Sequence, residues 1–360
     1  MKGAKRSPPR AKRPKVRRRD AKLLARTSAT EAADARRAAI LAPNATDSPE
    51  ELADWVELQA LLARDRQFSL ESLARVINRS GTTDALRSDL EEDDGGDDPP
   101  RRLPRRAADD SRVVAEAAFS EIETRAKACN GHRDAYPFEV ESGIVRLKGE
   151  PGATDYEFFL LLTHAGPTSG HEGTAVLFEL LCTVAALGHL GGSRNRARAF
   201  RFGAPRKRPL AKLSEAITSF CRDVGEGMGC SSEEEASHTG DGQLDIVAFR
   251  EFPDGRTGKL VLFGQCAAGA SSAEDKLSEL DPQAFMKKWL KKQLLVSPMR
   301  LFFVPWCPPA HDWEFKVIDS GLLFDRCRIA ACIEDTELTV FSDRIKAANK
   351  VMLRKLKRVA

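Results

Sequence analysis

The chain lacks any apolar run close to the roughly eighteen residues that mark a membrane-spanning helix, so no span is expected. No apolar segment follows its basic N-terminal end, which excludes a secretory signal peptide. No two cysteines have the CxxC spacing, so no structural zinc site is expected. No P-loop motif is present, and any ATP chemistry would come from another chain. Its eight cysteines are scattered, several within apolar runs, which fits a reducing, cytoplasmic location.

Charge is spread unevenly along the 360 residues, and the net value of +4 hides this segregation. Residues 1–22 contain eleven Lys or Arg and a single acidic residue, Asp20. We interpret residues 1–47 as a disordered basic arm suited to polyanions, with a solvated tail as the alternative.

Composition divides the rest of the chain into further segments. Ser48, with Pro49 and Glu51 behind it, predicts a capped helix start, and Ser69 predicts a second one. The run DLEEDDGGDDPP followed by RRLPRR is typical of a flexible linker. The predicted segments are a helical module at 48–84, a charged linker at 85–110, an α+β lead-in at 111–165 with its strongest strand at 156–162, a core at 166–335 and a basic C-terminal helix at 336–360.

The most apolar helix of the sequence is predicted at 173–187. It is apolar nearly all round, so it should be buried on more than one side. Glu179 lies in its middle, where an unpaired carboxylate would cost several kcal/mol of desolvation. Glu179 therefore needs a partner or a function.

A β-hairpin is predicted at 244–249 and 260–263, two short apolar runs joined by the turn formers PDGRTG. Asp245 lies in the first strand and Gln265 ends the second. A buried carboxylate requires a metal or hydrogen-bond partners, and for Asp245 the alternative is a local turn cap. Further strands are predicted at 197–202 and 300–304, and helices at 210–224 and 282–295.

Two basic groups are candidates for nucleic-acid binding. Arg196 and Arg198 lie around the predicted strand 197–202, and Lys287, Lys288 and Lys291 share the polar face of the helix at 282–295. Cationic side chains on one surface bind phosphate backbones.

The order of these elements, αβββαβ, resembles the core of the PD-(D/E)xK superfamily, the restriction-endonuclease-like fold, and its Mrr-type branch in particular. The resemblance rests on LFELL around Glu179, GDGQLDIVAF around Asp245 and LVLFGQCAAG around Gln265, within residues 173–304. It implies an α/β fold, with a mixed sheet flanked by helices and a mainly helical N-terminal region. It also implies Mg²⁺- or Mn²⁺-dependent cleavage of DNA in bacterial anti-phage defence.

The resemblance assigns a role to each residue of the site. Asp245 would be the principal metal ligand and Gln265 a weaker, neutral one, since Mg²⁺ prefers oxygen. Glu179 would orient the attacking water or complete the surroundings of the metal.

The catalytic lysine departs from this pattern. It normally lies two residues after the Gln position, where this chain has Ala267. Lys276 is the nearest downstream replacement, and its long side chain would reach back to the strand end. Lys259 is a poorer candidate, about 20 Å along the strand from Gln265 at roughly 3.3 Å per residue.

Two other classes of function remain open on the sequence. One is a catalytically silent nucleic-acid-binding or scaffold subunit on the same fold, favoured by Gln265 and Ala267. The other is a cysteine enzyme built on Cys266, with His238 or His311 as the base. The sequence does not separate DNA from RNA as the ligand and leaves the oligomeric state open; a helicase or ATPase partner is implied by the resemblance.

Overall fold

Ser48 begins the first described helix of the computed structural model. Its hydroxyl accepts a hydrogen bond from the Glu51 amide and the Glu51 carboxylate accepts one from the Ser48 amide. This reciprocal cap and Pro49 at the first helical position confirm the predicted helix start. The structure describes residues 43–91, 105–131, 133–170, 172–232, 240, 242–269 and 273–358; the basic arm up to residue 42 lies outside them.

The described residues form both α-helices and β-strands. The α-helices are α1 (Pro49–Leu62), α2 (Leu70–Glu91), α3 (Arg105–Ala128), α4 (Asp155–Ala165), α5 (Thr174–His189), α6 (Leu213–Val224), α7 (Ala273–Leu277), α8 (Pro282–Trp289), α9 (Trp313–Ser320), α10 (Arg326–Cys332), α11 (Asp335–Leu338) and α12 (Ser342–Lys357). The strands are β1 (Gln67–Ser69), β2 (Phe138–Glu141), β3 (Ile144–Leu147), β4 (Ala197–Arg201), β5 (Ile246–Arg250), β6 (Leu260–Cys266), β7 (Met299–Phe303) and β8 (Leu322–Phe324). Residues 42–360 cluster as one unit.

A five-stranded mixed sheet with the order β4-β5-β6-β7-β8 forms the centre of this unit. Strands β4, β5 and β6 are antiparallel neighbours, and β7 and β8 continue the sheet parallel to β6. The parallel pairs require crossovers, which α7 and α8 supply before β7 and α9 supplies before β8. The fold is therefore α/β with a mixed sheet flanked by helices, as expected. A smaller antiparallel sheet, β1-β3-β2, accompanies the N-terminal helices.

Helix α5 is buried on two sides, as its all-round apolarity predicts. One side packs on β4 and β5 and the other on α10. At Gly188 the contact with α10 is so close that an added Cβ would lie 1.8 Å from the Cys332 carbonyl oxygen. The opposite face of the sheet is covered by α6 and α8, where Phe263 contacts Phe220 and Phe285 edge to face.

A buried charge cluster joins α1 to the later helices. Arg326 of α10 donates to Asp54 at 2.8 Å and to Glu57 at 3.1 Å. Arg125 of α3 contacts the same two carboxylates, at 2.7 and 3.2 Å. The hydroxyl of Tyr156 also donates to Glu57. Helix α1 is thus tied to α3, α4 and α10 by charged hydrogen bonds rather than standing apart.

The predicted strand at 156–162 is wrong, because these residues belong to α4. Thr154 caps this helix together with Glu157, through the same reciprocal pair of bonds found at α1. A short apolar run does not distinguish a buried strand from a buried helix, and the capping pair was the overlooked signal.

Other predicted boundaries shift. Helices occupy residues 85–91 and 105–110 of the segment interpreted as a linker, whereas 92–104 lie outside the described residues. The helix predicted at 282–295 ends at Trp289. Helix α9 lies where the sequence predicted neither a helix nor a strand. No helix among the described residues has both the length and the hydropathy needed to cross a bilayer.

Candidate functional site

Asp245 lies immediately before β5, where the ends of three strands meet. Its carbonyl accepts hydrogen bonds from the amides of Phe202 and Gly203, just after β4. Its carboxylate oxygen Oδ2 accepts one from the Cys266 amide, at the end of β6, at 2.8 Å. The residue is 8% exposed. Backbone groups just after β4 and at the end of β6 therefore fix Asp245 where these strands end. Asp245 is not a cap confined to its own turn.

Glu179 reaches the same point from α5. A Cβ built on Gly203 would lie 2.7 Å from Glu179 Oε2 and 2.9 Å from Asp245 Oδ1, so these two oxygens are within about 6 Å of each other. Any side chain at position 203 would displace one of the carboxylates. The glycine that follows β4 therefore permits the two acidic groups to approach.

Arg201, the last residue of β4, neutralises Glu179. Its Nε donates to Glu179 Oε2 at 2.5 Å, and its Nη1 donates to the Pro205 carbonyl at 2.8 Å. Both charged side chains are mostly buried, with 11% and 14% of their surfaces exposed. The sequence analysis did not single out Arg201, so its role as the partner of Glu179 was missed.

Gln265 is buried at the end of β6, next to Cys266. Its amide nitrogen donates to Glu279 Oε2 at 2.9 Å, which holds the side chain. Its carbonyl oxygen Oε1 is shielded from solvent and has no hydrogen-bond partner among the described residues. A buried amide oxygen without a donor has the chemistry of a hard-cation ligand, and the carboxylates of Glu179 and Asp245 are oxygen donors of the kind that Mg²⁺ prefers. The types of donor, taken one by one, therefore suit such a cation.

Lys276 reaches back to the strand end. Its Nζ lies 3.2 Å from the carbonyl oxygen of Cys266, the residue whose amide binds Asp245. Ala267, at the usual lysine position, is fully buried. Lys259 is engaged elsewhere, donating to the Val224 carbonyl at 2.6 Å. Of the two lysines we considered, Lys276 is the one near Asp245.

The Cys266 thiol has the wrong environment for a nucleophile. Burial and a hydrogen bond to Cys182 raise the pKa of Cys266 well above its ordinary value, and the nearby carboxylates of Asp245 and Glu179 add to the effect. A thiol held in its protonated form reacts poorly. Of the two proposed bases, His238 lies outside the described residues and His311 lies in an exposed loop beside Asp312. These contacts argue against the cysteine enzyme.

Two cavities are lined by hydrogen-bond partners of the site residues, although Glu179, Asp245 and Gln265 themselves line neither. A cavity of about 320 Å³ is lined by Arg198, Arg201, Arg206 and Phe200, and so adjoins Glu179 through Arg201. A cavity of about 360 Å³ on the α8 side is lined by residues that include Gln243, Glu279, Lys288 and Trp289. It adjoins Gln265 through Glu279.

The predicted nucleic-acid-binding residues are exposed on two separate elements. Arg196 and Arg198 lie at the edge strand β4, whereas Lys287, Lys288 and Lys291 lie on α8 and just after it. Arg198 is already paired with Glu251 at 3.3 Å.

The two basic groups reach the cavities through one residue each. Arg198 lines the cavity beside β4, and Lys288 lines the one beside α8. The Lys288 ammonium lies 4.6 Å from the centre of the Trp289 ring. Each cavity therefore has a cationic side chain from one of the two basic groups in its lining.

No protein-family model, curated protein or solved structure matches this chain.

Proposed function

We propose that the chain is a metal-dependent endonuclease of the PD-(D/E)xK class, Mrr type, that hydrolyses phosphodiester bonds in DNA, with RNA as the second polyanion to test. The observation that carries the proposal is the meeting of Glu179 and Asp245 beside Gly203. Lys276 reaches the same strand end through Cys266. An acid pair with a nearby amine suits phosphoryl chemistry, where charge must be stabilised on both sides of phosphorus.

The order and direction of the central elements support the same class. Helix α5 precedes three antiparallel strands, β4, β5 and β6, and a crossover then leads to the parallel strand β7. This reproduces the αβββαβ order, with α6 inserted between β4 and β5. The resemblance assigns the site to the first helix and to the second and third strands; Glu179 lies on α5, Asp245 immediately before β5 and Gln265 on β6.

Each residue has a distinct role in this proposal. Asp245 and Gln265 would hold Mg²⁺ or Mn²⁺, which when bound supplies charge to the scissile phosphate and its leaving oxygen. Glu179, fixed by Arg201, orients the attacking water. Lys276 stabilises the negative charge that develops on phosphorus.

Plasmid cleavage tests the proposal. With Mg²⁺ or Mn²⁺ present, Asp245→Asn is expected to lower the nicking rate by about 10²-fold or more, because it removes the charge that holds the cation. Asp254→Asn is the matched control, since Asp254 is exposed in the turn of the same hairpin. Equal cleavage by wild type and Asp245→Asn would remove Asp245 from the mechanism.

A second candidate is a catalytically silent nucleic-acid-binding or scaffold subunit on the same fold. The observations that favour it are the buried Ala267 at the lysine position and the ion pair that already occupies Glu179. Calorimetric titration with Mn²⁺ separates the two candidates. DNA binding without metal uptake supports the silent subunit, and uptake that Asp245→Asn abolishes supports the nuclease.

The biological setting belongs to the proposal and rests on the resemblance alone. It comprises a cytoplasmic role in bacterial anti-phage defence and a helicase or ATPase partner. Supercoiled DNA cleavage by the chain alone, compared with cleavage after addition of a candidate ATPase and ATP, measures whether such a partner is needed.

A further inference from the structure

Two cysteines and one aspartate meet at a point away from the site described above, with a third cysteine beside them. The sulfur atoms of Cys307 and Cys327 lie 3.8 Å apart. A carboxylate oxygen of Asp325 lies within 4.8 Å of both sulfurs. The thiol of Cys129 contacts Cys327 but lies outside this group of three. Thiols from the loop after β7 and from the start of α10 thus share one small volume with a carboxylate, and the thiol at the end of α3 adjoins it.

The spacing of the sulfurs is that of ligands around a single tetrahedral metal ion. Zinc binds thiolate sulfur at about 2.3 Å, so two sulfurs on one tetrahedral zinc lie about 3.8 Å apart. This value equals the distance between the Cys307 and Cys327 sulfurs, and all eight cysteines of the chain are free. Two thiols and one carboxylate give three ligands, and Cys129, beside Cys327, is the candidate for the fourth that a closed structural zinc site requires.

Two buried arginines, Arg125 and Arg326, carry positive charge near the cluster. Metal binding to such thiols releases their protons. Both arginines are buried and fixed by carboxylates, so their positive charge is held close to the sulfurs.

The Asp325 carboxylate lies beside these thiols because Asp325 is the N-cap residue of α10. A buried cysteine by itself usually acts as a small apolar side chain. One oxygen of Asp325 caps α10 by accepting from the Arg328 amide at 2.8 Å. This bond fixes the carboxylate beside Cys327 and uses one of its two oxygens.

We propose that Cys129, Cys307, Asp325 and Cys327 form a structural Zn²⁺ site. The site ties the end of α3 to the connection between β7 and α10, and it is separate from the acidic site at Asp245. The cysteine spacing gave no sign of it, because the ligands come from distant parts of the sequence.

Metal titration of the reduced full-length chain tests this site. Wild type is expected to bind one Zn²⁺ per chain, to melt at a higher temperature with zinc than after chelation, and to show thiolate-to-cobalt charge-transfer absorption when loaded with Co²⁺. Cys307→Ser and Cys327→Ser should each lose the cobalt band. Cys332→Ser, on the same helix as Cys327, should keep it, and so should Asp245→Asn.

Three outcomes would overturn the proposal: a folded, reduced wild type without the cobalt band, a band that survives both Cys307→Ser and Cys327→Ser, or a band lost in Asp245→Asn. If a serine variant fails to fold, the wild-type titration decides alone, since it requires no substitution. Loss of nuclease activity in Asp245→Asn with the cobalt band retained separates the two sites.

Discussion

Lys276 is the residue on which catalysis by the proposed nuclease depends most. Its ammonium contacts the carbonyl of Cys266, the residue whose backbone amide binds Asp245. In the proposed mechanism a lysine at this position would stabilise charge near the acidic pair without lying two residues after Gln265. The long, flexible side chain lets Lys276 reach the strand end from a different position in the sequence.

Lys276→Ala is expected to lower the cleavage rate by about 10²–10³-fold, the usual effect of removing one charge-stabilising group. DNA binding should be nearly unchanged. Plasmid nicking and fluorescence anisotropy measure the two quantities. Lys350→Ala, at an exposed position of α12, is the control. Unchanged cleavage by Lys276→Ala would show that no lysine acts from this helix.

At the scale of elements, α1 depends on its buried charges. Arg326 of α10 is fully buried and hydrogen-bonds Asp54, Glu57 and the Pro305 carbonyl. Burial of an ion pair is costly, and removal of one partner leaves the others uncompensated. The cluster therefore couples α1 to α10 in an all-or-none manner.

Arg326→Met is expected to lower the free energy of unfolding by about 3–5 kcal/mol, because two carboxylates lose a buried partner. Denaturant unfolding followed by circular dichroism measures the change. Arg112→Ala, which removes an exposed pair with Glu116, should cost less than about 1 kcal/mol. Similar losses for both variants would mean that the buried cluster contributes no more than a surface pair.

At the scale of the whole molecule, stability should depend on pH through His164. Burial lowers the pKa of His164 to about 4, although Asp54 acts in the opposite direction. The unfolded chain, in which histidine has a pKa of about 6.5, binds more protons between these values. Folding stability should therefore fall as the pH drops from about 6.5 towards about 4.

His164→Gln is expected to remove up to about 3 kcal/mol of this pH dependence. The quantity to compare is the change of unfolding free energy with pH in wild type and in His164→Gln. Burial raises the pKa of carboxylates such as Asp155, and in both proteins these groups change stability with pH in the direction opposite to His164. Urea unfolding of wild type and His164→Gln at pH 7 and pH 4 measures it. Parallel pH profiles for the two proteins would exclude His164 as the cause.

The salt dependence of DNA binding belongs to the same scale. Lys287 is exposed, and each lysine that contacts a phosphate contributes about one unit to the slope of log affinity against log salt. Lys287→Ala should lower the slope by about 1. Arg198→Ala should lower it less, since Arg198 is already paired with Glu251. Equal slopes for wild type, Lys287→Ala and Arg198→Ala would mean that neither residue contacts the DNA.

Local pattern determined much of the fold. The turn PDGRTG between two apolar runs predicted the β5–β6 hairpin, and all-round apolarity predicted the double burial of α5. Capping residues marked α1, whereas the equivalent pair at Thr154 and Glu157 was overlooked and α4 was predicted as a strand. Such features are readable because they depend on neighbours a few residues away.

Only the tertiary structure decided which polar groups meet. Glu179 and Asp245 were each notable as charged residues in apolar runs, but their approach at Gly203 depends on how α5 crosses the ends of β4 and β5. The pairing of Arg326 with α1 and the convergence of Cys129 with Cys327 likewise join residues far apart in the chain. Sequence fixes the local preference of each segment through short-range sterics and hydrogen bonds, whereas contacts between distant side chains follow from how the helices and strands pack.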